Sequence, residues 1–256
     1  MRTIAVINQK GGTAKTTTAQ QIGAGLADLN HRVLFVDLDA QQNLTFLLGA
    51  SPDGMTLADL FQQAIDGKQI QTAEAIQHAP GGDILASSLN LAAADTILAD
   101  VEEPEQTLKQ ILAPIRRKYD FCIIDTPPTL GTLTISALTA ANDVIAPAQA
   151  DVFSLIAIGQ LYSTIQTVRK RSNKNLSFTG ILLTRFNGRT VISRDTAAQL
   201  EEAAALYETK VFKTRIRECS ALKEAAIMQQ NIFDYAPRSN AAQDYKDLLT
   251  ELLESE

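Results

Sequence analysis

The sequence predicts an α/β protein: a single doubly wound, mainly parallel sheet of about seven strands, with helices on both faces. Three observations carry that expectation. Apolar runs of strand length alternate with longer segments of helical period, the pattern of a sheet buried on both sides. The 256 residues lie at the upper end of what one hydrophobic core supports, which favours one large domain over residues 1–256. At 45% hydrophobic and 20% charged, with no low-complexity tract or internal repeat, the composition is that of a chain that folds.

Residues 3–8, 32–37, 83–86, 121–125, 144–147 and 178–184 read as strands, being rich in Ile, Val, Leu and Phe, and residues 210–212 read as a weaker seventh. Residues 15–29, 56–66, 89–99, 104–119, 132–141, 154–171, 193–207, 220–230 and 240–253 read as helices of crossover length. Residues 49–82 are more polar and contain Ser51-Pro52-Asp53-Gly54 and Pro80-Gly81-Gly82. They are expected to pass over the sheet as an excursion, not a second domain.

Several function classes fall away on composition. Cys122 and Cys219 are too few for a disulfide framework and have no second ligand at metal-binding spacing, so a reducing, cytoplasmic setting is expected. No stretch approaches the roughly 18 apolar residues of a membrane span. The net charge is −6, yet residues 165–223 hold twelve Lys or Arg against five Asp or Glu, a local +7 that leaves −13 elsewhere. A polyanionic partner should meet this segment.

The first strand runs into Gln9-Lys10-Gly11-Gly12-Thr13-Ala14-Lys15-Thr16-Thr17 and then a helix, the context a phosphate-binding loop requires. Glycines let backbone N–H groups converge on phosphate oxygens, and the helix N-terminus adds partial positive charge. Lys15 can bridge the terminal phosphates, and the Thr16 hydroxyl can ligate Mg²⁺. The second strand ends in Asp37-Leu38-Asp39, and a carboxylate beyond a parallel strand can hold metal-bound water or orient an attacking one, Asp39 being farther out. Phe121-Cys122-Ile123-Ile124-Asp125 is an apolar strand tipped by an acid, followed by Thr126-Pro127-Pro128-Thr129-Leu130-Gly131. Its Asp125 can anchor Mg²⁺ through water, and the turn can sense the γ-phosphate.

The loop lacks the two glycines of the strict G-x-x-x-x-G-K-[ST] pattern, with Gln9 and Ala14 in their places. Its extra lysine, Lys10, resembles the deviant Walker A motif of the ParA/MinD ATPases. Asp37–Asn43 and Asp125–Gly131 are similar to that family's D-x-D-P-Q-G-N and D-[CT]-P-P-S-L-G stretches, and the likeness to the ParA/Soj partitioning ATPases runs over nearly the whole chain, implying the P-loop NTPase fold. It implies a Mg²⁺- and ATP-dependent homodimer in which Lys10 reaches the partner's nucleotide, Lys15 balances γ-phosphate charge and Asp39 supports hydrolysis. It also implies non-specific DNA binding and a ParB-type partner that stimulates hydrolysis.

In relatives the stretch matching Leu182–Thr190 borders the adenine, which implicates Arg185, and starts the DNA face at Arg189. Lys213, Arg215, Arg217 and Lys223 could extend a phosphate-contacting patch, with Arg217 or Lys223 compensating for Ala221, which stands where relatives often carry an Arg. If the Ala14 position needs φ > 0, the alanine adds roughly 1–2 kcal/mol of strain and slows or weakens nucleotide handling.

The resemblance admits other outcomes. MinD-type ATPases end in a basic membrane-targeting helix, whereas residues 244–256 here are acidic on the polar face, so no membrane partner is expected. Nitrogenase-iron-protein-like reductases need paired cysteines that this chain lacks. Small-molecule ligases and kinases of the superfamily remain open. The main alternative is a ParA-like positioning ATPase for a non-DNA cargo. The first strand opens the sequence, so no N-terminal helix-turn-helix and no sequence-specific DNA reading are expected.

Overall fold

The computed structural model describes residues 1–98 and 101–254. Seven strands form one sheet: β1 (Arg2–Val6), β2 (Val33–Asp37), β3 (Ile76–Ala79), β4 (Gly82–Leu85), β5 (Phe121–Asp125), β6 (Asp143–Ala148) and β7 (Ser177–Leu183). Their order is β3-β4-β2-β5-β1-β6-β7, with every pairing parallel except β3 against β4. The chain winds one way from β1 to β4 and the other from β5 to β7, placing β1 between the central β5 and β6.

Alternation along the strands builds two cores. Ile4 and Val6 of β1, with Phe35 and Ile123, face the layer of α1 (Lys15–Asp28) and α11 (Asn240–Leu253). Ala5, Val36 and Ile124 face the opposite layer. That second layer holds α3 (Leu57–Ile65), α4 (Leu91–Ile97), α5 (Thr107–Leu112), α6 (Thr132–Ala140), α7 (Val152–Arg171) and α8 (Val191–Leu206). The α11 helix packs on the sheet with Tyr245, Leu248 and Leu252 fully buried, as its apolar face requires. No described helix is long and apolar enough to cross a membrane.

The seven-stranded, mainly parallel architecture is as expected, but the seventh strand lies elsewhere. Residues 210–212 make only one isolated bridge, Val211 to Ile181. The seventh strand is β3, inside the polar stretch expected to be an excursion, and it pairs with β4 across Pro80 and Gly81. Gly81 at φ 84° supplies the left-handed residue that a turn following proline needs. The expected helix over 104–119 is broken into 3₁₀ turns at Pro104–Gln106 and Ala113–Ile115 flanking α5, because Pro114 interrupts the helical hydrogen bonding.

Three short or shortened helices complete the chain: α2 (Asn43–Leu47), α9 (Ser220–Ile227) and α10 (Ile232–Tyr235). Ala99, the end of the expected 89–99 helix, and Ser255 and Glu256 of the acidic tail lie outside the described residues.

Candidate functional site

The loop after β1 is held open by its neighbours. Asn8 is buried, with its amide donating to the Pro147 carbonyl at 2.7 Å and its Oδ1 accepting the Lys10 N–H at 2.9 Å. Gln149 donates to the Gly12 carbonyl at 2.9 Å and Thr184 to the Thr13 carbonyl at 3.0 Å. Carbonyls are thereby bound to the scaffold. No side chain caps α1, so its first-turn N–H groups are available to an anion.

Gly12 sits at φ 74° and Ala14 at φ 66°, both left-handed. Ala14 therefore occupies the strained conformation anticipated for it. Lys15 opens α1 and is only 8% exposed; its ammonium reaches the Lys10 carbonyl at 3.4 Å. Burial lowers its pKa, while the charges of Asp125 and Asp39 raise it, so all three groups act on one small volume.

Asp125 ends β5 beside the loop, in register with Val6 of β1 and Asp37 of β2. Both its carboxylate oxygens are buried without a hydrogen-bond partner. Burial and Asp37 push its pKa well up, against the pull of the nearby Thr16 hydroxyl and Lys15. A buried carboxylate with two orphaned oxygens, next to the half-buried Thr16 hydroxyl and the Lys15 ammonium of the phosphate loop, fits a hydrated Mg²⁺. Asp37 differs: Oδ2 accepts the Thr45 N–H and hydroxyl, both at 2.8 Å, and Oδ1 accepts the Asp39 N–H at 3.1 Å. It is fully buried, and burial pushes its pKa up to about 6. The two acids at the end of the second strand thus have separate surroundings, Asp37 fully buried and Asp39 half-buried.

Lys10 has a different partner. Its ammonium pairs with Asp151, which also accepts the Ser154 N–H at 2.9 Å as the N-cap of α7. Although burial would raise it, the Asp151 pKa is held down by Lys10 and Ser154. Beside this pair Val152, Phe153 and Ile156 stand 60, 72 and 56% exposed, an apolar patch around the loop lysine. Asp151 was missed in the sequence; the only sign of it is an acid three residues before a serine at a helix start.

Residues 1–178 match the family model described as AAA domain. The sporulation initiation inhibitor protein Soj of Bacillus subtilis is 37% identical over 251 residues, covering 97% of each chain. The chromosome-partitioning ATPase Soj of Thermus thermophilus is 35% identical, over 99% of this chain and 96% of its own. The chain belongs to the ParA/Soj family of ATPases. Among solved structures, cobyrinic acid a,c-diamide synthase from Mycobacterium smegmatis with bound ATP analog and magnesium is 37% identical, with a TM-score of 0.78 over 91% of this chain and 93% of that one. This ParA-type chain is an ATP hydrolase with the P-loop fold, and its cofactors are ATP and Mg²⁺.

In the ParA-family frame, a cleft of about 150 Å³ opens beside the loop, lined by Ala14, Thr17, Arg185, Glu218, Cys219 and Tyr245 among others. Arg185, exposed and at φ 49°, lies on its wall, so the residue expected near the adenine is brought to the phosphate loop.

The expected DNA contacts divide. Arg189 is exposed, and its side chain and that of Lys213 form no ion pair among the described residues. Arg215 donates to Glu201 at 3.0 Å and lies 4.5 Å from the Phe186 ring centre. Lys223 is 3.9 Å from Glu218. Arg217 is bound to Asp244 of α11 through its backbone N–H at 2.9 Å, Nε at 3.0 Å and Nη2 at 2.5 Å, so it braces the C-terminal helix.

Proposed function

We propose that this chain is one P-loop ATPase domain over residues 1–256. It dimerises on Mg·ATP, binds DNA non-specifically and drives plasmid or chromosome partitioning with a ParB-type partner. The observation that carries the reading is the pair of lysines at one loop. Lys15 is buried against Asp125, and Lys10 is held at the rim beside an exposed apolar patch. A lysine needed only within its own site has no reason to sit at that rim.

In this reading the backbone of residues 10–17 cradles the phosphates and Arg185 lies at the base. Lys15 neutralises charge on the transferred phosphoryl group. Thr16 and Asp125 would hold Mg²⁺, partly through water, and the ion would supply positive charge to the phosphates. Asp39 orients the attacking water. Lys10 leaves Asp151 and crosses to the partner's nucleotide when Val152, Phe153 and Ile156 become covered by a second copy. Arg189 and Lys213 lead the DNA contact surface, joined by Arg215 and Lys223 where their ion pairs open, while Arg217 joins only if it releases Asp244. The protein is cytoplasmic and nucleoid-associated while ATP-bound, with no membrane partner.

The test is retention of the ATP-loaded protein on random-sequence duplex DNA. Binding that weakens steeply with salt and is lost with ADP supports the reading. No binding below roughly 100 mM salt, where phosphate contacts are strong, rejects it. The second reading, a ParA-like scaffold for a non-DNA cargo, is favoured by the ion pairs that occupy Arg215, Arg217 and Lys223.

A further inference from the structure

Asp39 is not placed by its own side chain. Its carboxylate Oδ1 accepts only the Gln41 N–H at 3.0 Å, a local turn that leaves Oδ2 free among the described residues. What fixes it is the main chain. Its N–H donates to Asp37 at 3.1 Å, and its carbonyl accepts the Ser87 hydroxyl at 2.8 Å as well as the local Gln42 N–H at 2.9 Å, so Ser87 is its one tether from outside the turn among the described residues.

Ser87 lies just past β4, 48 residues away in the chain. Its own N–H donates to the Thr45 hydroxyl oxygen at 2.9 Å, and the Thr45 hydroxyl donates onward to Asp37 at 2.8 Å. The bonds close a ring: Asp37, Thr45, Ser87, Asp39 and back to Asp37. Thr45 and Ser87 are 1% and 0% exposed, so no water replaces either hydroxyl if it is removed.

The ring joins the end of β2, the helix α2 and the chain after β4, which are the elements that flank the acid expected to act in hydrolysis. None of its hydroxyls touches the phosphate loop through a hydrogen bond. We propose that Thr45 and Ser87 are positioning residues for ATP hydrolysis, holding Asp39 by its main chain at the height where its free oxygen meets the attacking water. This rests on the reading of Asp39 given above. A shift of one ångström in an orienting group is enough to lower turnover without touching substrate affinity.

The experiment measures Mg·ATP affinity and single-turnover hydrolysis for Ser87→Ala, Thr45→Val, Thr45→Ser and Asp39→Ala, with melting temperature as the check on folding. Ser87→Ala and Thr45→Val are expected to lower the hydrolysis rate about fivefold to tenfold, the usual effect of one buried hydrogen bond, with ATP affinity changed less than about twofold. Thr45→Ser keeps the hydroxyl and is expected to retain most of the rate. Normal hydrolysis in both hydroxyl-deleting variants, while Asp39→Ala is inactive, overturns the inference alone. So does loss of rate and affinity together, or failure of Thr45→Ser to recover the rate. Normal hydrolysis in Asp39→Ala removes the inference together with the reading beneath it. If Thr45→Val does not fold, Ser87→Ala decides.

Discussion

Replacing Ala14 with glycine tests whether the loop is strained where the family ordinarily carries glycine. Ala14 sits at φ 66°, ψ 32°, a left-handed conformation that disfavours a β-carbon by roughly 1–2 kcal/mol. Glycine removes that strain but adds about 0.4–1 kcal/mol of backbone freedom to the unfolded chain. It also gives up a half-buried methyl group, about 0.4 kcal/mol if half of a buried carbon's usual contribution is lost. The three figures leave between about −0.4 and +1.2 kcal/mol, centred on a stabilisation of about 0.4 kcal/mol. For a chain of this length that raises the melting temperature by about 1–2 °C. Ala14→Val should move the other way, since a branched β-carbon suits φ > 0 still less. Thermal melting without nucleotide is the assay, because bound ATP would add its own stabilisation. The expected order is Gly above Ala above Val. An Ala14→Gly protein that melts more than about 2 °C below the parent would show that the loop is not strained, and the alanine would then need a different explanation.

Three further outcomes follow from the site. Lys15→Ala should abolish Mg·ATP binding in equilibrium dialysis, since it leaves Asp125 buried without its nearby cation. Lys10→Ala should still bind nucleotide but fail to form the ATP-dependent dimer in gel filtration; a stable dimer would count against transfer of that lysine to the partner. The nucleotide-free protein should be more stable at pH 5 than at pH 7.5. Asp37 titrates near 6 in the folded chain, above its unfolded value, so the folded state binds the extra proton and loses stability as pH rises through that range. A melting temperature that climbs steadily from pH 5 to pH 7.5 would contradict this sign.

How much of this was legible in the sequence depends on distance along the chain. The phosphate loop, Asp125 and the alternation of strands and helices are local patterns, and each stands where the sequence placed it. The β3 strand was not legible, because Ile76-Gln77-His78-Ala79 is a short, half-polar edge with little apolar periodicity. Conversely, residues 210–212 look like a strand and yet make a single bridge, since apolar character does not report whether a neighbouring edge is available. The Lys10–Asp151 pair spans 141 residues, and the Ser87–Asp39 bond 48; only the fold brings them together. The separate fates of Asp37 and Asp39 were likewise hidden, because strand alternation predicts a shared face and not which carboxylate is tied up by hydrogen bonds.

The basic stretch over residues 165–223 shows how counting charges and seeing them paired lead to different expectations. Five residues there were expected to meet DNA phosphates. Three already face carboxylates: Arg215 faces Glu201, Arg217 faces Asp244 and Lys223 faces Glu218. These pairs are not equal. Lys223 and Glu218 are both largely exposed and 3.9 Å apart, a contact that salt and a competing phosphate dissolve readily. Arg217 is bound through backbone and guanidinium to Asp244, which is 7% exposed, so releasing it would leave a buried carboxylate unpaired. DNA binding should therefore rest on Arg189, Lys213 and Lys223, and the logarithm of affinity should fall with the logarithm of salt at a slope of about −3 per protomer. Engagement of all five would give a slope of about −4 to −5. Arg189→Glu should flatten the slope by about 1, while Arg217→Glu should lower the melting temperature through Asp244. A slope near −5, with Arg217→Glu changing DNA binding but not stability, would show that the ion pairs open on DNA.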